Sequence, residues 1–282
     1  MKILLLGASG QLGSDIARLW HDPAITLVCA TRADADVTDA DAVRALIASH
    51  RPDVVVNTTA FHNMPAAEAD PETCFHVNVT GGWNVARATV EAGARTVQIS
   101  TDYVFDGTKS TPYLEDDARA ALNVYGAAKI ATEDIVCIVD PRALIVRVSG
   151  LYGVAGSAGK GGNFVETMLR LAREEKPVRV VADQVTAPTN TAEIAEALLP
   201  LVRDGAAGIA HVAAADACSW HEFAGAIFEI AGLQPDFAPT TAAEFGGPVR
   251  RPAYSVLGTN RGTMMAGWRA GLERYMREKH GM

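Results

Sequence analysis

The chain is 282 residues long and 49% hydrophobic, and it carries a net charge of −8 from 25 basic and 33 acidic side chains. This length allows a sizeable core, the lack of a Lys/Arg cluster argues against nucleic acid as a partner, and no apolar run approaches the roughly 20 residues of a membrane span. Four widely spaced cysteines without a CxxC pair indicate neither a disulfide framework nor a zinc site, so a cytoplasmic location is expected.

Short apolar runs alternate with helix-length segments over residues 1–150. The runs predict five strands: ILLL (3–6), ITLVCA (25–30), VVV (54–56), TVQI (96–99) and ALIVRV (143–148). This alternation is typical of βαβ units that build a buried parallel sheet. The predicted fold class is therefore α/β, with a doubly wound parallel sheet.

The alternation of apolar runs with helix-length segments becomes less regular after residue 150. A glycine-rich stretch, GVAGSAGKGG, precedes a helical pattern, the strand-like run VRVVA and a further helix. Two more helical patterns, SWHEFAGAIFEIAG and TMMAGWRAGLERYMREK, complete the chain and are predicted to bury Trp220 and Trp268. We predict a second, smaller α/β lobe formed by 151–177 and 214–282, while 178–213 returns to the first domain.

The glycine turn GASGQLG follows the first predicted strand and opens a helix. Gly7, Gly10 and Gly13 let backbone amides and the helix dipole converge where a pyrophosphate could bind. We therefore predict a dinucleotide site and an NAD(P)-binding Rossmann fold for residues 1–150. The alternative is a tight turn that binds no ligand.

The end of the second predicted strand bears on the choice of dinucleotide. NAD-binding proteins usually place a carboxylate there for the ribose hydroxyls, whereas this chain has Thr31 and Arg32. A guanidinium at that position suits a 2′-phosphate. The sequence therefore predicts NADP(H) as the preferred cofactor, with NAD(H) as the second choice. The alternative is that Arg32 is a solvated residue at a strand end.

Tyr125 and Lys129 are four residues apart in a helical pattern and therefore share one helical face. A nearby ammonium favours the phenolate and lowers the tyrosine pKa, which would let the phenol give a proton to a substrate oxygen near neutral pH. Ser100 and Thr101 end the fourth predicted strand, at the edge where open parallel sheets bind ligands. These residues predict an active site for acid–base chemistry, and the ATEDIV run after Lys129 is predicted to be a solvated face.

On these motifs the chain resembles the extended short-chain dehydrogenases, specifically the dTDP-4-dehydrorhamnose reductase family. The segments that carry the resemblance are GASGQLG, DVTD (36–39), NTTAF (57–61), HVNVTG (76–81), STDYVFDG, VYGAAK, GGNFVETMLRLA, DQVTAPT (183–189) and RRPAYSVL (250–257). The resemblance covers nearly the whole chain. It implies an NAD(P)H-dependent reductase that transfers a hydride to the 4-keto group of a nucleotide-linked deoxysugar.

The resemblance also implies roles for individual residues. The catalytic set would be Thr101, Tyr125 and Lys129. The residues implied for the cofactor are Gly7, Ser9, Gly10, Gln11, Leu12, Gly13, Arg32, Asp36, Val37, Thr59, Ala60, Phe61, Asn78, Ser100, Tyr125, Lys129 and Val148. The residues implied for the nucleotide sugar are Asp102, Tyr103, Asn163, Gln184, Thr189 and Arg251.

Two departures from the family pattern lie on the substrate side. Where the family usually carries a tryptophan after the fifth strand, this chain has Gly150, and the usual T-x-V-D-x-A-E pattern reads HNMPAAE from His62. We therefore expect a wider sugar pocket, with a keto sugar other than dTDP-4-dehydrorhamnose preferred or a bulkier substituent accepted near Gly150. Some family members bind Mg²⁺ through glutamates at a dimer contact. Asp15 and Glu193 occupy candidate positions here without an identifiable third ligand, so no metal is predicted.

Three functions remain open on this reasoning. The leading one is the reductase, in which Thr101 orients the substrate carbonyl. A non-catalytic regulatory subunit of the same fold, similar to a methionine adenosyltransferase partner, is the alternative from another class. An epimerase or dehydratase that recycles its NAD is the third, although dehydratases place an acid pair where this chain has Asp102 and Tyr103. The expected partners are a nucleotide-sugar substrate and a second copy of the chain in a homodimer.

Overall fold

Six strands form one parallel sheet at the centre of the molecule. The structure, a computed structural model, describes residues 1–156, 162–261 and 265–282. The strands are β1 (Lys2–Leu6), β2 (Thr26–Ala30), β3 (Val54–Asn57), β4 (Arg95–Thr101), β5 (Leu144–Val148) and β10 (Gly208–His211). They lie in the order β10-β5-β4-β3-β1-β2, and neighbours pair in parallel. The five predicted strands are confirmed, and β10 extends the sheet beyond β5.

Helices cover both faces of this sheet. They are α1 (Gln11–Leu19), α2 (Ala40–His50), α3 (Met64–Ala69), α4 (Pro71–Phe75), α5 (Gly81–Glu91), α6 (Val124–Val139) and α8 (Thr191–Arg203). Successive strand residues point to opposite faces, so Ile3 and Leu5 pack with α1 and α8, whereas Leu4 and Leu6 pack with α2 and α5. The predicted doubly wound α/β class is therefore confirmed.

The remaining elements form a smaller α/β lobe. They are helices α7 (Phe164–Arg173), α9 (Trp220–Ala231), α10 (Ala242–Phe245) and α11 (Trp268–His280), and strands β6 (Leu151–Tyr152), β7 (Val178–Val181), β8 (Val185–Thr186), β9 (Thr189–Asn190), β11 (Cys218–Ser219) and β12 (Phe237–Thr240). Phe223 and Ile227 of α9 are buried against Leu272 and Met276 of α11 in the core of this lobe. Across the described ranges, no helix combines the length and apolarity needed to cross a membrane.

One strand departs from the predicted lobe boundary. The expectation that 178–213 returns to the large sheet does not hold for β7, which pairs in parallel with β12 of the small lobe. The edge of the large sheet beside β5 is occupied by β10, so the backbone of β7 finds its hydrogen-bonding neighbour at β12. Farther along, α8 does pack on the large sheet. We propose that the chain rejoins the large domain at Thr191, and the other lobe boundaries stay predictions.

Parallel pairing brings the carboxyl ends of several strands to one edge of the large sheet. Leu6 of β1 is opposite both Ala30 of β2 and Asn57 of β3. Thr101 of β4 is opposite Val148 of β5. The glycine turn, the loop after β3 and the hydroxyl residues at the end of β4 therefore lie side by side, at the edge where open parallel sheets bind ligands.

The packing of α8 on the large sheet can be tested with one buried and one exposed isoleucine. Ile194 of α8 is fully buried, whereas Ile138 of α6 is 73% exposed. We expect Ile194→Ala to lower the free energy of unfolding by about 2–5 kcal/mol, because it leaves a cavity in the core. The control Ile138→Ala should change it by less than about 0.5 kcal/mol. Urea titration measures both, and equally small effects would contradict this packing.

Candidate active site

A cavity of about 640 Å³ runs along the carboxyl edge of the large sheet and reaches the small lobe. Its walls contain the whole predicted catalytic set, every predicted cofactor residue except Asn78, and every predicted substrate residue except Thr189. This volume is in the range that holds cofactors and small substrates. The structure therefore brings the predicted residues together in one place, while the ligand that each one binds stays a prediction.

The glycine turn between β1 and α1 forms one end of the cavity. Gly7 has φ +82°, a left-handed conformation that side chains disfavour, and its N–H donates to Ala30 O at 3.0 Å. A Cβ at position 13 would lie 2.1 Å from Gly7 O, so the first turn of α1 packs directly on the loop. Gly10 caps α1 without a side-chain hydrogen bond, which leaves the helix N-terminus open towards the cavity. These features fit the pyrophosphate of a dinucleotide.

Arg32 and Asp36 form the outer wall beside the glycine turn. The Arg32 side chain is 86% exposed, and its Nη2 lies 2.8 Å from Asp36 Oδ2. Hydrogen bonds from Thr38, followed by the bond and charge of Arg32, lower the pKa of Asp36, so this carboxyl is ionised at neutral pH. Arg32 is thus tied to a carboxylate at the cavity wall. A 2′-phosphate would have to compete with Asp36 for the guanidinium.

Thr101, the last residue of β4, is hydrogen-bonded through both its donor and its acceptor. Its Oγ1 donates to Asp102 Oδ1 at 3.0 Å and accepts from the Tyr103 N–H at 3.3 Å. Asp102 is buried, which raises the pKa of its carboxyl, and it also accepts from Ser149 Oγ at 2.9 Å. The hydroxyl hydrogen of Thr101 therefore points to Asp102 and must turn to reach a substrate oxygen.

The helix that carries Tyr125 packs closely on the segment after β4. Asn123 caps α6 by accepting from the Gly126 N–H at 2.8 Å. A Cβ at position 126 would lie 2.3 Å from Tyr103 O, so this approach requires glycine. The rings of Tyr103 and Tyr125 meet edge to face with centroids 6.2 Å apart. The first turn of α6 therefore holds the Tyr125 phenol next to the end of β4.

The electrostatics of Tyr125 and Lys129 differ from the expectation. Lys129 Nζ is buried and donates to Ile99 O at 2.7 Å, and burial lowers the pKa of Lys129 to about 8. Burial and the charge of Asp102 raise the pKa of Tyr125. The expected lowering of the tyrosine pKa is therefore wrong for this arrangement, because the ammonium is bound to the β4 backbone and desolvation dominates at the phenol.

The small lobe closes the other end of the cavity. Asn163 caps α7, and its Nδ2 donates to Gly153 O at 3.0 Å and to Tyr275 Oη at 3.1 Å. Burial raises the pKa of Tyr103, and the positive charge of Arg251 acts in the opposite direction. Asn163 is therefore committed in part to the fold, whereas Arg251 brings a positive charge to the wall that connects the two lobes.

The two predicted residues outside the cavity walls support loops. Asn78 lies in the π-helical segment His76–Thr80 between α4 and α5, where it accepts from the Phe61 N–H and donates to Phe61 O, both at 3.1 Å. Thr189 Oγ1 donates to Ala187 O at 2.8 Å and accepts from the Ala214 N–H at 3.1 Å. Because these polar atoms already bind the backbone, we infer that both residues support the loops, while their assignment to ligand contacts stays a prediction.

Several wall residues were not predicted, mostly towards the small lobe. Among them are His62, Met64, Phe164, Thr167, Thr186, Trp220, Pro252 and Ser255. Trp220, predicted as a core residue, is only partly buried and packs its ring on Phe164 at a centroid distance of 4.8 Å. Hydrophobic periodicity cannot separate a helix residue that faces the core from one that faces a cavity, since both surfaces are apolar. The sequence signal that could have placed Trp220 outside the core is its position directly after Ser219, the N-cap of α9.

The predicted solvated face of α6 is wrong for Glu133. This side chain is buried, and its Oε2 accepts from Arg147 Nη2 at 2.7 Å. Asp134, the next residue, does lie at the surface. The burial of Glu133 follows from helical spacing, because it comes four residues after Lys129 and shares its face.

Gly150 lines the cavity, but its backbone conformation excludes a side chain. Its φ is +55°, and a Cβ would lie 2.9 Å from Pro188 Cα. A tryptophan introduced at this position would require the loop to move. The wall at Gly150 therefore carries no side chain and, in this backbone conformation, has no space for one.

Asp15, one of the two candidate metal ligands, is engaged by hydrogen bonds within the protein. Asp15 accepts from Arg18 Nη2 at 2.7 Å and from Thr191 Oγ1 at 2.6 Å. Burial raises the pKa of Glu193, which favours its neutral form. In the part of the chain that the structure describes, no three His, Cys, Asp or Glu side chains converge as a metal site would require.

A dinucleotide, a proton donor and a substrate carbonyl can meet in this cavity, which is the arrangement of the extended short-chain dehydrogenase/reductase class. The chain belongs to the family described as "RmlD substrate binding domain", which matches residues 1–280. The predicted resemblance is therefore confirmed.

Individual relatives cover almost the whole chain. It is 37% identical to the spore coat polysaccharide biosynthesis protein SpsK of Bacillus subtilis, over 99% of this chain and 98% of that protein. It is 35% identical to a dTDP-4-dehydrorhamnose reductase of Escherichia coli, with 99% and 98% covered. The crystal structure of dTDP-4-dehydrorhamnose reductase from Bacillus anthracis in complex with NADP superposes with a TM-score of 0.94 at 34% identity, covering 98% of this chain and 99% of that chain.

The glycine turn can be tested with two glycines that both lie inside helices. A Cβ at Gly13 would collide with Gly7 O, whereas a Cβ at Gly225 of α9 would meet Phe237 at an ordinary 3.6 Å. We expect Gly13→Ala to weaken dinucleotide binding by about 10-fold or more, on the order of 1.4 kcal/mol, because the loop must shift. The control Gly225→Ala should keep wild-type affinity. Fluorescence titration with NADPH measures both, and unchanged affinity in Gly13→Ala would contradict the assigned site.

Proposed function

We propose that the protein reduces the 4-keto group of a nucleotide-linked deoxysugar, using NADPH in preference to NADH. The observation that carries this proposal is the shared cavity, in which Thr101, Tyr125 and Lys129 lie on the same walls as the glycine turn. The relatives support the substrate class. They include dTDP-4-dehydrorhamnose reductases and a dTDP-4-keto-6-deoxy-D-glucose reductase of Streptomyces niveus, which is 37% identical over 90% of this chain.

Tyr125 is the proton donor in this proposal. Its raised pKa keeps the phenol protonated at neutral pH, so Oη can give its proton to the oxygen of the carbonyl that is reduced. A bound nicotinamide cofactor supplies the hydride. Lys129 is charged below a pH of about 8, and its ammonium stabilises the phenolate left on Tyr125. Thr101 orients the substrate carbonyl once its hydroxyl turns away from Asp102.

The nucleotide end of the substrate is proposed to lie towards the small lobe. Arg251 supports this placement, since a guanidinium binds phosphate oxygens with paired hydrogen bonds, and it lines the cavity together with Gln184 and Asn163. NADP is supported as the cofactor by the bound NADP of the Bacillus anthracis relative. The Arg32 guanidinium at the opposite end would then bind the 2′-phosphate.

The sugar end of the pocket is proposed to differ from that of the dTDP-4-dehydrorhamnose reductases. Gly150 and His62 both line the cavity. In the present conformation of the loop, the space next to Gly150 is filled by Pro188, so this wall carries neither the family's ring nor any other side chain. We expect a preference for another 4-keto sugar nucleotide, or acceptance of a bulkier substituent near Gly150.

Turnover assays with NADPH and a panel of 4-keto sugar nucleotides test the reaction. We expect NADPH oxidation that depends on the sugar nucleotide, and Tyr125→Phe should lower kcat by about 10²- to 10⁴-fold, the usual effect of losing a general acid. NADPH affinity should persist in that variant because the ring remains. Tyr113→Phe is the matched control, since Tyr113 is buried outside the cavity walls and should not affect turnover.

Each part of the proposal has its own contradicting result. Near-normal turnover of Tyr125→Phe would reject the proton donor. A preference for dTDP-4-dehydrorhamnose by more than about 10-fold, near 1.4 kcal/mol, would reject the altered sugar pocket. No turnover with any panel member would reject the reductase and favour a regulatory subunit that binds dinucleotide without chemistry.

Arg32 can be tested as the residue that selects NADPH. We expect Arg32→Ala to weaken NADPH binding by about 10-fold, because a charge-assisted hydrogen bond contributes roughly 1.5–3 kcal/mol, and to leave NADH binding nearly unchanged. The control is Arg170→Ala, since Arg170 forms a similar exposed pair with Glu174 on the small lobe. Binding is measured by titration with both cofactors. Equal losses for NADPH and NADH would show that another group selects the 2′-phosphate.

A further inference from the structure

Glu133 continues the face of α6 that carries Tyr125 and Lys129. Residues four apart share a helical face, and these three follow one another at that spacing. The Glu133 side chain is only 1% exposed, although the proposed reaction does not use it. A buried carboxylate is costly unless it is paired and hydrogen-bonded, so its contacts show what it does here.

The carboxylate is held by two neighbouring strands at once. Oε1 accepts from Ser100 Oγ at 2.5 Å and from Arg147 Nε at 2.9 Å. Oε2 accepts from Arg147 Nη2 at 2.7 Å and from Arg119 Nη1 at 3.2 Å. Ser100 belongs to β4 and Arg147 to β5, so a single side chain ties the catalytic helix to the centre of the sheet.

The same stretch of β4 also receives Lys129. The contacts fall on consecutive residues, because Lys129 Nζ donates to Ile99 O at 2.7 Å and Glu133 accepts from Ser100. Thr101 follows directly with the hydroxyl of the catalytic set. The contact of Glu133 with Ser100 fixes α6 against β4. It therefore determines the position of Lys129 relative to the Thr101 hydroxyl.

Glu133 also contributes to the charge around Lys129. Burial lowers the pKa of Lys129 to about 8, and the negative charge of Glu133 acts in the opposite direction. The other titratable groups near this face are Cys74 from α4, Tyr125 on the helix itself, and Asp102 after β4, whose charge acts on Tyr125.

Two arginine guanidinium groups contact the Glu133 carboxylate. Arg147 and Arg119 are both bound to Glu133, and Arg147 is completely buried. If Glu133 lost its charge, the positive charges of Arg147 and Arg119 would no longer be compensated, and both would repel the Lys129 ammonium. Lys129 would then release its proton at a lower pH.

We propose that Glu133 is a positioning residue of the reductase, whose carboxylate fixes α6 on β4 and keeps Lys129 protonated during turnover. The inference rests on the proposed function only because that function gives Lys129 a part in the reaction. It goes beyond the Thr101, Tyr125 and Lys129 set, since Glu133 reaches the reacting groups through its neighbours and does not line the cavity.

The charge of Lys129 can be titrated without substrate or cofactor. NMR of the full chain labelled with ¹⁵N-lysine follows the Lys129 ammonium, and Lys129→Met identifies its signal. We expect a midpoint near the pKa of about 8 in the wild type. In Glu133→Gln, which keeps the shape but removes the charge, the midpoint should fall by about one unit or more, as expected for a close charge pair at low solvent exposure.

The same shift should appear in the kinetics. The dependence of kcat/KM for NADPH on pH reports groups of the free enzyme, and its alkaline limb should fall as Lys129 loses its proton. In Glu133→Gln this limb should move to lower pH by the amount seen in the NMR titration. Asp134→Asn is the matched control, because Asp134 is the adjacent exposed carboxylate and binds the same Arg119 at 2.7 Å; it should leave both measurements at the wild-type values.

A double variant covers the case in which Glu133→Gln does not fold. Glu133→Gln with Arg147→Met removes both buried charges, a change that is often tolerated, and its Lys129 midpoint should still lie below that of the wild type. An unchanged midpoint in either variant, a uniform loss of kcat/KM at every pH, or an equal shift in Asp134→Asn would overturn the proposal. A wild type without turnover would reject the reductase alone, since the NMR titration still decides the role of Glu133.

Discussion

Parallel pairing of the six strands is the constraint on which the rest of the structure depends. Parallel neighbours cannot be joined by a tight turn, so each strand is followed by a crossover and the carboxyl ends meet at one edge. That edge collects the glycine turn after β1, the loop after β3 and Thr101 of β4. These segments are far apart in the sequence, and the topology alone places them on one cavity that the small lobe closes.

The site also buries an unusual amount of charge for a protein interior. Lys129, Asp102, Glu133 and Arg147 are each at most 2% exposed. Buried ionic groups rarely add stability, and well-packed apolar residues of similar size often replace them without loss. A cluster of this kind around one face of α6 is therefore better explained by the proton transfer that we propose for the site than by the stability of the fold.

Predictions from the sequence succeeded where the signal is local. Strands buried on both faces appear as short apolar runs, and the turn after β1 needs glycines at fixed spacing, so the large lobe and its dinucleotide end were predictable. The burial of Glu133 depends on Arg147 in another element, and the place of β7 depends on a partner strand far along the chain. The raised pKa of Tyr125 likewise follows from the direction of the Lys129 side chain and from Asp102, which residue spacing does not reveal.

The two ends of the cavity are held by different parts of the molecule. The glycine turn and Tyr125 are fixed by the large sheet and its helices, whereas Asn163 at the substrate end is bound by Tyr275 of the C-terminal helix. Tyr275 in turn donates to Glu166 Oε1 at 2.6 Å, and His280 Nε2 lies 2.8 Å from the same oxygen. A substitution at Tyr275 is therefore expected to act first on Asn163, the N-cap of α7. The two ends of the cavity therefore depend on different contacts, so the proposed substrate end can change in sequence while the contacts that hold the first turn of α6 are kept.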